Sequence, residues 1–209
     1  MEKKHIQVLI WILVPIWVIL LFINGTAITL AFFKPLSFIT GAAIFFIGVF
    51  DKWLWKWKIL HPWFVSTPNI SGTWQAEINS SWIDKTTGKQ SNNIEAYFII
   101  KQTLSNIKVT LLTKESHSEL IGGELVKDKN NGKYCITGVY LNEPKLLKVK
   151  QSPMHYGALF CKITFSKKSI TINGCYWTSR ETKGEINFLK RSRCICSGFD
   201  ECRKIFSIG

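Results

Sequence analysis

Apolar positions are spread unevenly along the chain. Before residue 61 they form long runs, and from residue 70 onward short apolar stretches alternate with polar ones. Segment 6–23 (IQVLIWILVPIWVILLFI) holds no charge. Eighteen helical residues rise about 27 Å, close to the roughly 30 Å hydrocarbon core of a bilayer. Pro15 is tolerable in a membrane helix, where neighbours re-satisfy the freed backbone. Asn24-Gly25-Thr26 follows as a turn. The second apolar region, 28–50, is interrupted by Lys34-Pro35, so its cleanest helix starts near Leu36 and reaches 55 if lysines near its end extend to the headgroups. The pattern therefore predicts a two-helix transmembrane anchor over 1–60, with helices at about 6–23 and 36–55, and a linker over 61–69. Gly41, Ala42, Ala43 and Gly48 offer small residues for helix contact. Trp53, Trp55, Trp57 and Trp63, mixed with Lys52, Lys56 and Lys58, read as an interfacial belt. Lys3 and Lys4 precede the first helix and Lys52, Lys56 and Lys58 follow the second, which places both termini in the cytoplasm. A cleaved signal peptide opening on MEKKH is the competing reading. Its apolar core would exceed the usual length of about 7–15 residues, and a second apolar segment follows it.

Beyond the linker, eight stretches carry strand character: 70–79, 94–103, 106–113, 118–126, 133–141, 158–165, 169–177 and 185–190. In ITINGCYW, Ile170, Ile172, Gly174 and Tyr176 fall on one face, with Thr171, Asn173, Cys175 and Trp177 on the other. KYCITGVY and ALFCKITF are rich in β-branched and aromatic residues. Turn chemistry separates the stretches at 85–88, 127–132, 142–144 and 166–168. Short strands in succession with no sustained helical period point to an antiparallel sandwich or barrel. Periodicity alone does not separate the two, although eight strands suffice for a closed barrel that holds one small ligand.

The net charge of +13 divides unevenly. Residues 1–70 hold six lysines against two acids; residues 71–209 hold 21 basic residues against 12 acids. A basic domain attracts anionic headgroups, nucleic acid or a nucleotide, or is simply kept soluble by its charge. Six cysteines are present. Cys135, Cys161 and Cys175 sit singly in strand segments, and an unpaired cysteine there packs as a small hydrophobe. Cys194, Cys196 and Cys202 form C-x-C-x5-C with no histidine after it, which does not fit a zinc knuckle. The β domain carries His117 and His155 and lacks G-x-S-x-G, Walker A and H-E-x-x-H motifs, so the sequence argues for a binding protein with no catalytic residues and no cofactor.

Three segments go beyond generic β pattern: Ile70-Ser71-Gly72-Thr73-Trp74, His155-Tyr156-Gly157, and the G-x-Y-x-T-x-R-x-T-x-G spacing from Gly174 to Gly184. In this order, behind two apolar segments, they resemble the two-transmembrane β-barrel effectors of CBASS, the bacterial cyclic-oligonucleotide-based antiphage signalling system. The resemblance implies a membrane-anchored all-β fold, with an N-terminal two-helix transmembrane hairpin followed by an eight-stranded antiparallel β-barrel. The cytoplasmic barrel would occupy 70–191 and a tail 192–209. It implies an inner-membrane protein whose ligand is a cyclic di- or oligonucleotide made by a CD-NTase-type nucleotidyltransferase. Binding would drive homo-oligomerisation and disruption of the lipid bilayer, causing abortive infection, with neither DNA nor RNA as partner. Candidate ligand-binding residues are Trp74, His155, Tyr176, Thr178, Arg180, Thr182 and Lys183. Arg180 can fork onto a phosphate, Thr178 and Thr182 can hydrogen-bond it, and Lys183 adds a point charge. Trp74 and Tyr176 can stack on a base. Structural roles stand beside these: a barrel floor for Trp74, core packing for Tyr176, a hairpin loop for 178–184 and a turn hydrogen bond for His155. A membrane-tethered lipocalin-like barrel carrying a lipid or other apolar ligand is the alternative. A mostly aliphatic interior would favour it, whereas Arg and Thr projecting inward would favour a nucleotide.

Overall fold

The computed structural model describes residues 3–23, 34–83, 88, 90, 93–128, 131–150, 152–166 and 169–207. The turn expected at 24–26 lies outside the described residues, as do residues 85–87 of the turn expected at 85–88, 129–130 of that at 127–132 and 167–168 of that at 166–168. The chain divides into two compact units, 1–69 with 103–105, and 70–102 with 106–209.

The first unit contains helices α1 (Lys3–Ile23) and α2 (Lys34–Lys52), then single 3-10 turns at Leu54–Lys56 and Lys58–Leu60. Among the described residues no helix is long and apolar enough to cross a membrane. The expected transmembrane hairpin is corrected accordingly. Within the helices the uncharged stretches are 6–23 and 35–50. They rise about 27 and 24 Å against the roughly 30 Å hydrocarbon core. Among the described residues of α2, Ile39 and Ala43 are buried, and with Leu13, Val14 and Trp17 of α1 they line one small cavity. A Cβ added at Gly41 or Gly48 meets nothing within 4 Å, so neither glycine serves close packing here. Trp53, Trp57 and Trp63 are exposed, whereas Trp55 is fully buried and does not belong to an exposed belt. His61 Nε2 lies 2.9 Å from the Trp55 carbonyl oxygen. A carbonyl only accepts, so this ring nitrogen is the donor.

The second unit is a closed antiparallel barrel with strand order β1 to β8. Its strands are β1 (Gly72–Ser80), β2 (Ile94–Gln102), β3 (Ile107–Thr113), β4 (Ser116–Lys127), β5 (Tyr134–Pro144), β6 (His155–Phe165), β7 (Ile170–Thr178) and β8 (Lys183–Ser192). Closure runs from Thr73 opposite Ser192 to Ser80 opposite Gly184, with a bulge between Gln75 and Ala76. Alternation decides which side chains enter: in β7, Ile172 is buried while its neighbours Thr171 and Asn173 are exposed. The interior core includes Ala76, Phe98, Ile100, Ile136, Ile163 and Ile172. Strand β2 breaks the alternation because both of its faces are covered. Tyr97 and Ile99 join Leu112, Cys196 and Cys202 in a second core on the outside. That core is completed by a C-terminal helix, α3 (Phe199–Ser207), through Phe199, Ile205 and Phe206. Cys196 and Cys202 are thus packing residues, and all six cysteines are unpaired.

One end of the barrel is sealed. The Trp74 indole donates to the Ile70 carbonyl at 2.9 Å, and the Arg191 guanidinium lies 5.3 Å from the centroid of the Trp74 ring. Arg191 in turn donates twice to the Ser71 carbonyl, at 3.2 and 2.5 Å.

Candidate functional site

The other end, where β1, β3, β5 and β7 finish, opens into a cavity of about 640 Å³. That lies within the roughly 300–1,000 Å³ range of small-molecule sites. Its deep wall is apolar, from Ile78, Val109, Leu111, Leu120, Leu159 and Ile186. A polar ring surrounds the mouth, including Ser80, Thr113, Ser118, Asn142, His155 and Thr178. Trp82, Phe98, Tyr140 and Tyr176 supply aromatic surface.

The 174–184 segment builds one side of this mouth. Thr178 and Thr182 face each other across the start of a three-residue loop. Their hydroxyls are 2.6 Å apart, and the Thr178 N–H donates to the Thr182 carbonyl at 2.9 Å. The Glu181 N–H returns to the Thr178 carbonyl at 3.1 Å, and Glu181 takes a left-handed φ of 62°. A turn followed by one left-handed residue is a common three-residue hairpin connection. It leaves Arg180 at the tip, where its N–H donates to the Thr178 hydroxyl at 3.2 Å. The Arg180 side chain lines the cavity. Its Nε is buried and has no hydrogen-bond partner among the described residues. A buried guanidinium N–H without an acceptor costs free energy, and an anion placed there would recover it.

Two glycines of the motif segments have packing reasons. A Cβ at Gly157 would strike the Tyr140 ring, and a Cβ at Gly184 would lie 2.5 Å from Cε1 of Tyr176. Their absence lets both tyrosines lie against the wall. The Tyr176 hydroxyl donates to Ser80 Oγ at 2.7 Å. Burial raises both phenol pKa values, opposed by the charge of Arg180. The two rings therefore present neutral hydroxyls near the cation. Two residues beyond Tyr140 on β5, Asn142 Oδ1 accepts the Ser118 hydroxyl at 2.8 Å. His155 Nδ1 approaches the Pro153 carbonyl at 3.0 Å and Asn142 Nδ2 at 3.5 Å. The shorter contact decides the tautomer, because a carbonyl only accepts: Nδ1 carries the proton and Nε2 is an acceptor. Burial lowers the His155 pKa, partly offset by the Pro153 carbonyl, and the Arg180 charge lowers it further. The ring is held neutral.

Of the seven residues named from sequence, His155, Tyr176, Thr178, Arg180 and Thr182 meet at this cavity. Trp74 does not. It is 3% exposed and belongs to the sealed end. Lys183 does not line the cavity either. It is exposed, and its N–H donates to Ser81 Oγ at 2.9 Å. Its in-register neighbour is Trp177, another outward position. Sequence reasoning missed Trp82, Phe98, Ser118, Tyr140 and Asn142. The inward parity of β4 and β5, read at their mouth ends, is the signal that would have found the last three.

A closed barrel with one sealed end and an aromatic, cationic mouth defines a small-ligand-binding barrel. The family profile described as Cap15, cyclic dinucleotide receptor domain, matches residues 65–191. CD-NTase-associated protein 15 of Yersinia aleksiciae is 32% identical over 96 residues, which cover 46% of this chain and 42% of that relative. The chain belongs to the Cap15 cyclic dinucleotide receptor family.

Proposed function

We propose that this chain is a CBASS effector whose barrel mouth binds a cyclic dinucleotide. The observation that carries the reading is the buried Arg180 Nε, without a partner among the described residues, on the wall of a cavity of ligand size. The cavity suits the two halves of such a ligand. Its apolar, aromatic depth accepts a base, and the ring around Thr178, Arg180 and Thr182 accepts a phosphate. The interior is largely aliphatic, as a lipid carrier's would be, but the Arg and Thr side chains at its mouth favour a nucleotide over the cargo of a lipocalin-like barrel. We read the protein as a receptor without turnover, since the family is named for binding.

The output belongs to the helical unit. Exposed apolar residues along α1 and α2, including Trp11, Phe22, Phe45 and Phe46, give it surface for lipid or for further copies of the chain. On this reading, nucleotide binding promotes self-association, and the assembled helices act at the inner membrane and compromise it. The test of the binding step is titration calorimetry of the full chain with cyclic dinucleotides. Liposome leakage, with and without the bound nucleotide, tests the output.

A further inference from the structure

A cyclic dinucleotide carries two phosphates, and Arg180 serves one. We infer that Arg203, from helix α3, is the second anion-binding group of the mouth. This inference rests on the nucleotide reading above. Residue 203 lies beyond the segment matched by the family profile, which ends at 191, so the contribution belongs to this chain's own C-terminal helix.

The helix is firmly placed while the Arg203 head is not. Cys202 is 0% exposed, the Phe199 ring lies 5.3 Å from that of Tyr97, and the Phe206 ring stacks on Tyr97 at 5.7 Å. Phe199 and Arg203 are four residues apart and share a helix face, and both line the cavity. The Arg203 side chain is 65% exposed, and its Nε sits 3.7 Å from Glu95 Oε2. That is an ion pair without hydrogen-bond contact. Glu95 already accepts the Tyr97 hydroxyl at 2.5 Å, so it keeps a close partner when Arg203 swings away. A second rim cation, Lys148, is held by Glu115 at 2.8 Å. Arg203 is therefore held more loosely than Lys148. Its guanidinium can present a fork to phosphate oxygens. Arg180 comes from the β7–β8 loop and Arg203 from the helix covering β2, so the two forks reach the mouth from different sides.

The experiment compares the wild-type full chain with Arg203→Ala and Arg203→Lys by calorimetry. The probes are a panel of cyclic dinucleotides and, as one-phosphate control, the 3′,5′-cyclic mononucleotides of the same bases. Arg203→Ala is expected to weaken cyclic dinucleotide binding by roughly three- to tenfold, with Arg203→Lys between it and wild type. Any cyclic mononucleotide affinity should be unchanged. Equal dinucleotide affinity in wild type and Arg203→Ala overturns the role of Arg203 while leaving the mouth as the site. Equal weakening of mono- and dinucleotide also overturns it, because the effect would then be general charge. No dinucleotide binding by wild type instead overturns the underlying reading.

Discussion

Gly157→Ala is the sharpest probe of how the mouth is built. The added Cβ would fall on the Tyr140 ring and 2.8 Å from the Trp177 carbonyl oxygen. Real Cβ atoms do not approach this closely, so the ring must move. Overpacking of this kind costs about 1–3 kcal/mol. Tyr140 is 8% exposed and faces the cavity, so its ring has an open side into which it can be pushed. We therefore expect about 2 kcal/mol, inside that range. Tyr140→Ala alone also destabilises, by about 2–4 kcal/mol, toward the lower end for a large core side chain because the site borders open space. In the double variant the collision with the ring is gone, and only the contact with the Trp177 carbonyl remains. The double loss should then fall short of the sum by at least about 1 kcal/mol, as expected for residues in contact. Urea denaturation of the full chain, followed by tryptophan fluorescence, measures all four corners of the cycle. Additive losses would refute the placement of the Tyr140 ring against Gly157, and with it the assigned cavity wall.

Two further outcomes follow from the titratable groups. The lowered pKa of His155 means that the unfolded chain binds the extra proton more readily than the folded one. Its contribution to stability is fully present above about pH 6.5, the unfolded histidine value, and is lost as pH falls below it. Thermal melts at pH 7.5 and 5.5 should therefore show a smaller loss for His155→Gln than for wild type, and equal losses would contradict a buried, neutral imidazole. Thiol reactivity should divide the cysteines. Cys175 and Cys194 are exposed and should react first with a thiol reagent in the native state. Cys161, whose pKa burial pushes up to about 12, should react only on unfolding, as should the buried Cys196 and Cys202. Peptide mapping after labelling reads this directly, and early modification of Cys161 would contradict a packed barrel interior.

The eight strands were legible because their segments are β-branched or alternating, with turn chemistry at breaks such as 127–132; their observed limits differ from those expected by three residues or fewer, and the turn expected at 142–144 falls instead within the end of β5. The exception in pattern is β2, whose run Ala96-Tyr97-Phe98-Ile99-Ile100 is apolar on both faces. Only the packing of α3 on the outside explains it. That helix is short and mostly polar, and its few apolar residues give a weak signal without the surface they cover. The hairpin anchor was read from run length alone, and in α2 the charges at Lys34 and Asp51 confine the apolar stretch to 35–50, short of the 36–55 expected for that helix. The position of Trp74 at the sealed end was not legible, because alternation tells which side of a strand faces inward but not which end of a barrel is open. The outward position of Lys183 has a simpler reason. It precedes the inward Gly184, so parity already sends it outward. Arg180 lies in a loop without parity, and its orientation emerges only from the Thr178–Thr182 closure. The partnership of Tyr140 with Gly157 crosses from β5 to β6, and no local sequence signal encodes it.

The most direct test of the central claim is calorimetric titration of the full chain with a panel of cyclic di- and trinucleotides, repeated for Arg180→Ala. We expect saturable binding of a cyclic dinucleotide. Arg180→Ala should weaken it by roughly 10- to 100-fold, the loss of one or two charge-assisted hydrogen bonds, with an unchanged melting temperature. Absence of binding to every member of the panel, or an Arg180→Ala affinity equal to that of wild type, would contradict the account.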